Sequence, residues 1–197
     1  MGTHRLEAFS DGVLAIIITI MVLELNIPEH ATLASFWSAS APDLLGYVLS
    51  FLFIGSWWNN HHHMLHITEK VTASIMWANL TLLFFLSLLP FSTRWMDESH
   101  FAPLPVASFG FVLFLAAFSF FWLKIAIVRM QGEGSVMAAA TGRDLKGMAS
   151  PILFAFGMAS AWVDVRISLA FYFFVASMWI IPDRRFERAK ADQASQA

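Results

Sequence analysis

Residues 5–27 read RLEAFSDGVLAIIITIMVLELNI, a segment that opens on charge and then stays apolar for the thickness of a membrane. Arg5, Glu7, Ser10 and Asp11 lead into residues 13–23, where Thr19 is the one polar side chain. As a helix rising about 1.5 Å per residue, residues 9–27 extend roughly 27 Å, close to the hydrocarbon core of a bilayer. At about 100° per position, Phe9, Gly12, Ile16, Thr19, Ile20, Leu23 and Ile27 share one side, with Arg5 below them. Asp11 falls on the far side, and Ser10 and Glu24 lie on the flanks. A carboxylate inside a spanning segment is costly, so Asp11 must face protein or water. The local alternative is a helix end whose first turn is capped by Ser10 or Asp11.

The rest of the chain repeats this apolar pattern. Residues 28–42 read as a polar loop without Lys or Arg, and a second helix is expected over 44–63, with Asp43 as its N-cap and Gly46, Gly55 and Ser56 permitting close helix contact. A third helix is expected over 73–91 and a fourth over 105–128, joined by a polar loop at 94–100. Residues 129–147 form the longest interior loop, with room for a short amphipathic piece. A fifth helix follows over 148–163, with Pro151 tolerated in its first turn, and a sixth over 167–181, ended by Pro182. The tail 183–197 is charged, then polar, and reads as a loose cytoplasmic extension.

Composition agrees. With 58% hydrophobic and only 13% charged residues, the 197-residue chain lies outside the soluble range, where about a quarter of residues are charged. Its mean hydropathy is +0.64. A net charge of −2 supplies no basic face for nucleic acid, and the lack of cysteine removes disulfides, thiol catalysis and cysteine metal sites together. The first apolar run, preceded by Asp11 and carrying Glu24 at its far end, does not read as a secretory signal. The expectation is an all-α integral membrane protein, a single domain over 1–197 with six transmembrane helices.

Six spans distribute the cations unevenly. Arg5, Lys70, Lys124, Arg129, Arg143, Lys146, Arg184, Arg185, Arg188 and Lys190 fall on the side of the amino-terminus, against Arg94 and Arg166 on the other. The positive-inside rule then puts both termini in the cytoplasm of a cell-membrane protein. The foot of the first helix and the histidine-rich end of the second share the cytosolic side.

That histidine run, Asn59, Asn60, His61, His62, His63 and His66, invites a metal reading, because His62 and His66 stand one helical turn apart. A catalytic zinc would also want a facing third ligand and a base, and the chain has no HExxH and no paired carboxylate motif. Histidines that hydrogen-bond neighbouring helices are the simpler reading. Antiparallel packing of the first two helices would bring Ser10 and Asp11 to the Trp58 indole and the imidazoles of His61 or His62. Thr19 is expected to bond back to a carbonyl one turn earlier, and Arg5 to reach the headgroups. The Phe-rich fourth helix reads as packing or lipid-facing surface.

Arg5, Phe9, Ser10 and Asp11, as RxxxFSD opening a spanning helix and followed by GVLAIIITIMVLEL, resemble the signature of the transmembrane protein 175 potassium channels. Trp57, Trp58, Asn59, Asn60, His61 and His62 resemble that family's Trp and His cluster; beyond residue 70 the likeness rests on hydropathy and length. The resemblance implies passive conduction of K+ through helix 1, with Arg5, Phe9, Ser10, Asp11, Trp58, His61 and His62 knitting the pore helix to its neighbours. It also implies a narrowest ring at the bulky residue five positions after the motif Asp, which here is Ile16. Family members with two six-helix repeats pair as dimers, so this single-repeat chain would form a homotetramer. Ile16, Thr19, Ile20 and Leu23 would then line the ion path, without enzyme activity, cofactor or bound metal.

No TVGYG filter and no second FSD copy is present, which argues against a carbonyl filter and an inverted-repeat transporter. Two other classes stay open on the residues alone. One is a proton leak or proton-coupled transporter using Asp11 and the histidines, and the other a membrane metalloenzyme built on residues 61–66.

Overall fold

The computed structural model describes residues 2–142 and 144–180. The tail 183–197, Pro182, Arg143 and the tail cations Arg184, Arg185, Arg188 and Lys190 lie outside the described residues. Regular structure among the described residues is entirely helical: α1 (Thr3–Leu23), α2 (Leu33–Ala39), α3 (Ala41–His66), α4 (Ala73–Ser87), α5 (Leu89–Glu98), α6 (Pro103–Gln131), α7 (Val136–Gly142), α8 (Leu145–Ser160) and α9 (Val165–Ile180). By length and composition, Thr3–Leu23, Ala73–Glu98 and Pro103–Gln131 can each cross a membrane. The fold class is therefore all-α and built on apolar helices.

Helix α6 is apolar all round, as a buried central helix must be, and α4, α5, α7, α8 and α9 pack on it. Its phenylalanines divide: Phe109 and Phe120 turn into the core, while Phe111 and Phe118 turn outward. Tyr172 of α9 closes the α6–α8–α9 layer. Its ring is fully buried, its hydroxyl donates to the Val106 carbonyl at 3.1 Å, and it lies against Gly110 and Gly157, where any Cβ would overlap it. Helix α1 lies on α3, α4 and α5 at the margin of this layer. It buries 28% of its apolar window against 50% for α6.

Several expected boundaries shift, each for a local reason. Helix α3 begins at Ala41 because a proline in the first turn sacrifices an N–H that would be orphaned anyway. Ser40 stands at the cap, so Asp43 is not the N-cap; it sits in the first turn and accepts a 3.3 Å bond from the Asn26 backbone N–H. The expected loop over 28–42 contains α2, capped by Thr32, whose side chain accepts from the Ser35 N–H. The expected third helix breaks at Leu88, where Pro90 enters the first turn of α5. Helix then continues through Arg94 to Glu98, so residues 94–98 are not loop. The turn into α6 is tight, with His100 and Phe101 at φ of 51° and 59°. Within 129–147 lies α7, and α8 starts at Leu145 because Asp144 caps it through the Gly147 N–H at 2.6 Å.

Side-chain bonds fix which helix ends share a side. Thr3 donates to the Thr68 carbonyl at 3.2 Å and Gln131 to the Ile67 carbonyl at 2.8 Å. Buried Lys124 pairs with Asp144, and the Trp179 indole donates to Ser150 at 2.9 Å. The starts of α1 and α8 and the ends of α3, α6 and α9 therefore share one end of the bundle. At the other, Ser40 donates to the Asn26 carbonyl at 2.7 Å, and Ser160 and Ser168 hydroxyls lie 3.1 Å apart.

Candidate functional site

Helix α1 presents two chemically distinct faces. Leu6, Ser10, Leu14, Ile17 and Met21, spaced by three or four residues, are buried against the bundle. Phe9, Gly12, Ile16, Thr19, Ile20 and Leu23 are all exposed, with Ile16 at 58% and Leu23 at 82%. The face expected from helical periodicity is thus a mostly apolar strip that the protomer leaves uncovered up to Leu23, where α1 ends; Ile27, expected on it, lies beyond the helix. Thr19 donates back to the Ala15 and Ile16 carbonyls at 3.1 and 3.0 Å. Its hydroxyl proton is spent on the helix, while its oxygen lone pairs remain outward.

The buried face is held by a chain of polar contacts at its foot. Ser10 is fully buried; it donates to the Leu6 carbonyl at 2.8 Å and accepts from Nδ2 of Asn79 on α4 at 3.0 Å. With Nδ2 so committed, the Asn79 oxygen faces Nε2 of His61 at 2.6 Å, so that nitrogen carries the proton. One amide thereby ties α1, α3 and α4. Beside it, the Trp58 indole N–H donates to Oδ1 of Asp11 at 3.0 Å, and Nδ1 of His62 lies 2.8 Å from Oε1 of Glu7. Trp58, His62 and His66 stack along α3 with successive ring centroids 6.2 Å apart.

Of the residues singled out in the sequence, the structure joins Asp11 directly to Trp58, and Ser10 to His61 only through Asn79. His62 meets Glu7 rather than Ser10 or Asp11. The Arg5 and Phe9 side chains are exposed. Among the described residues no group of three or more His, Cys, Asp or Glu is placed to hold a metal; His61 and His62 are directed to different partners. Asn79 and Glu7 are the members of this contact network that sequence reasoning did not assign to it. Asn79 carried a usable signal as the amide inside the apolar run IMWANLTLLFF, since a polar group at membrane depth demands a partner.

Apolar helices able to span a bilayer, cross-braced by buried polar contacts and leaving large apolar side chains exposed on their outer faces, define a multi-pass integral membrane protein. A family model described as Endosomal/lysosomal potassium channel TMEM175 matches residues 5–90. A potassium channel of Chryseobacterium sp. (strain P1-3) is 47% identical over 96% of this chain and 98% of its own. The crystal structure of a lysosomal potassium-selective channel TMEM175 homologue from Chamaesiphon minutus superposes with a TM-score of 0.77 at 27% identity, covering 91% of this chain and 96% of that one. The human endosomal/lysosomal proton channel TMEM175 is 32% identical over 53% of this chain but only 23% of its own length. The chain belongs to the TMEM175 family, whose members are ion channels.

Proposed function

We propose that this protein is a potassium channel that conducts passively along the exposed face of α1. The observation that carries the reading is the likeness over nearly the whole of both chains to a protein named as a potassium channel. The geometry of α1 agrees with it. A helix whose apolar face is left bare in the protomer, and whose foot is fixed in rotation by Ser10 and Asp11, is suited to line an axis shared by several copies.

Four copies of α1 would form the pore of a homotetramer, with both termini cytoplasmic in the cell membrane and six spans per chain. Ile16 makes the narrowest ring, Thr19, Ile20 and Leu23 continue the ion path, and Arg5, Phe9, Ser10, Asp11, Trp58, His61 and His62 hold the pore helix in place. A narrow apolar neck retains water poorly and gates by dewetting. K+ sheds water more readily than Na+, and the outward Thr19 oxygens replace part of what it loses, so selectivity is present but weaker than that of a carbonyl filter. Conduction needs no resident cofactor.

The test is rubidium uptake into potassium-loaded liposomes containing the purified protein. Uptake above protein-free liposomes supports a passive pathway, and none despite verified insertion contradicts it. A second reading, proton conduction, is favoured by the ionisable cluster Glu7, Asp11 and His62 at the foot of α1. Flux that requires a proton gradient and disappears in Asp11→Asn with assembly intact would favour it over the first.

A further inference from the structure

At the end of the bundle away from the foot of α1, a narrow cleft of about 20 Å³ opens between the end of α1, the start of α3 and the end of α5. It is lined by four carboxylates, Glu24, Asp43, Asp97 and Glu98, and by one cation, Arg94. Arg94 is already balanced by Glu98 at 2.7 Å. Asp43 and Asp97 are each only 8% exposed. Oδ1 of Asp97 is shielded from solvent and accepts no hydrogen bond among the described residues. Its carboxylate rests on the backbone of Gly46, where a Cβ would overlap both oxygens. Asp43 precedes Gly46 by three residues, hence on the same face of α3, and is near enough to act electrostatically on Asp97.

Two buried carboxylates lining one cleft are costly to the fold unless one of them holds a proton or something positive joins them. The nearby hydroxyls cannot serve, because Thr93 is already 2.7 Å from both the Ser50 hydroxyl and the Leu89 carbonyl. The ligand chemistry that fits the cleft is a cation that accepts oxygen donors and balances two negative charges. We propose that it binds a hard divalent cation of the calcium class between Asp43 and Asp97. With two protein carboxylates the ion keeps several waters, which places its affinity at roughly 10⁻⁴–10⁻³ M. Asp43 also holds the Asn26 N–H just beyond α1, so the ion would clamp the far end of α1 to α3 and α5. That consequence for conduction rests on α1 lining the pore; the binding does not.

The experiment is thermal unfolding of the purified full-length protein in detergent with calcium chloride, against sodium chloride of equal ionic strength. Terbium luminescence excited through Trp95, two residues before Asp97, reads occupancy independently. The expected result is a melting temperature that rises with calcium to half-effect at roughly 0.1–1 mM, and terbium emission that calcium displaces. Both responses should be lost in Asp97→Asn, with calcium-free stability no lower than that of the native chain. Asp43→Asn carries the same test should the first variant fail to fold. No shift beyond the salt control, a shift that persists in both variants, or stabilisation by acid without any response to calcium would each overturn the site. Because neither readout involves flux, a protein that binds calcium but does not conduct would leave this site standing and remove only the channel reading.

Discussion

Asn79 does at one position what the motif residues do only in pairs: its amide joins Ser10 of α1 to His61 of α3 across a fully buried point. Truncating it strands Nε2 of His61, whereas Ser10 keeps its bond to the Leu6 carbonyl, and an orphaned buried polar group costs about 1–3 kcal/mol. Asn79→Ala should therefore lower stability by about 2–3 kcal/mol, read as a drop in melting temperature of the detergent-purified protein. Trp58→Phe removes a hydrogen bond to a carboxylate while keeping the ring that stacks on His62, at about 1–2 kcal/mol. An equal loss in the two variants would mean that the buried bridge is no more important than the half-exposed indole contact. The Asp11–Trp58 contact was legible in the sequence because antiparallel neighbours align the start of one helix with the end of the next. Glu7–His62 joins the same two helices one turn further along and was missed although that alignment reaches it, whereas Asn79, whose polarity was visible, meets Ser10 across 69 positions on α4, which the alignment of α1 with α3 does not place.

At the scale of elements, periodicity placed Phe9, Gly12, Ile16, Thr19, Ile20 and Leu23 on the exposed side of α1, since a spanning helix keeps its 100° step whatever packs around it, but it ran the helix on to Ile27 and left out the exposed Ala8, Ala15 and Val22. Ends were harder, because caps and prolines decide them: Ser40 with the proline turn advanced α3, and Pro90 split the third helix into α4 and α5. Contacts that depend on a missing side chain were not legible at all. Gly110 and Gly157 exist in this packing to admit Tyr172. Gly157→Ala should therefore cost about 1–3 kcal/mol by overpacking, whereas Gly55→Ala, which meets no neighbouring atom within 4 Å, should be neutral or slightly stabilising through helix propensity. Parallel melts of the two variants check this, and equal losses would show that Tyr172 does not depend on the glycine notch.

For the whole molecule, composition was enough to indicate a membrane protein, and the helix order enough to place the foot of α1 beside the end of α3. The proposed tetramer assigns the bare α1 face, with Ile16 and Leu23 at 58% and 82% exposure, to an axis shared by four copies. Native mass spectrometry from detergent should give four times the 22.1 kDa of one chain; a monomer or dimer would remove the shared pore. The most direct test of conduction along α1 is the reversal potential of purified protein in planar bilayers with potassium on one side and sodium on the other, comparing the native chain with Ile16→Ala and a protein-free control. A current reversing on the potassium side, with the substitution raising conductance or loosening selectivity, is the expected result. No current above control in either protein, or a native current that Ile16→Ala leaves unchanged in size and selectivity, would contradict an ion path bounded by Ile16.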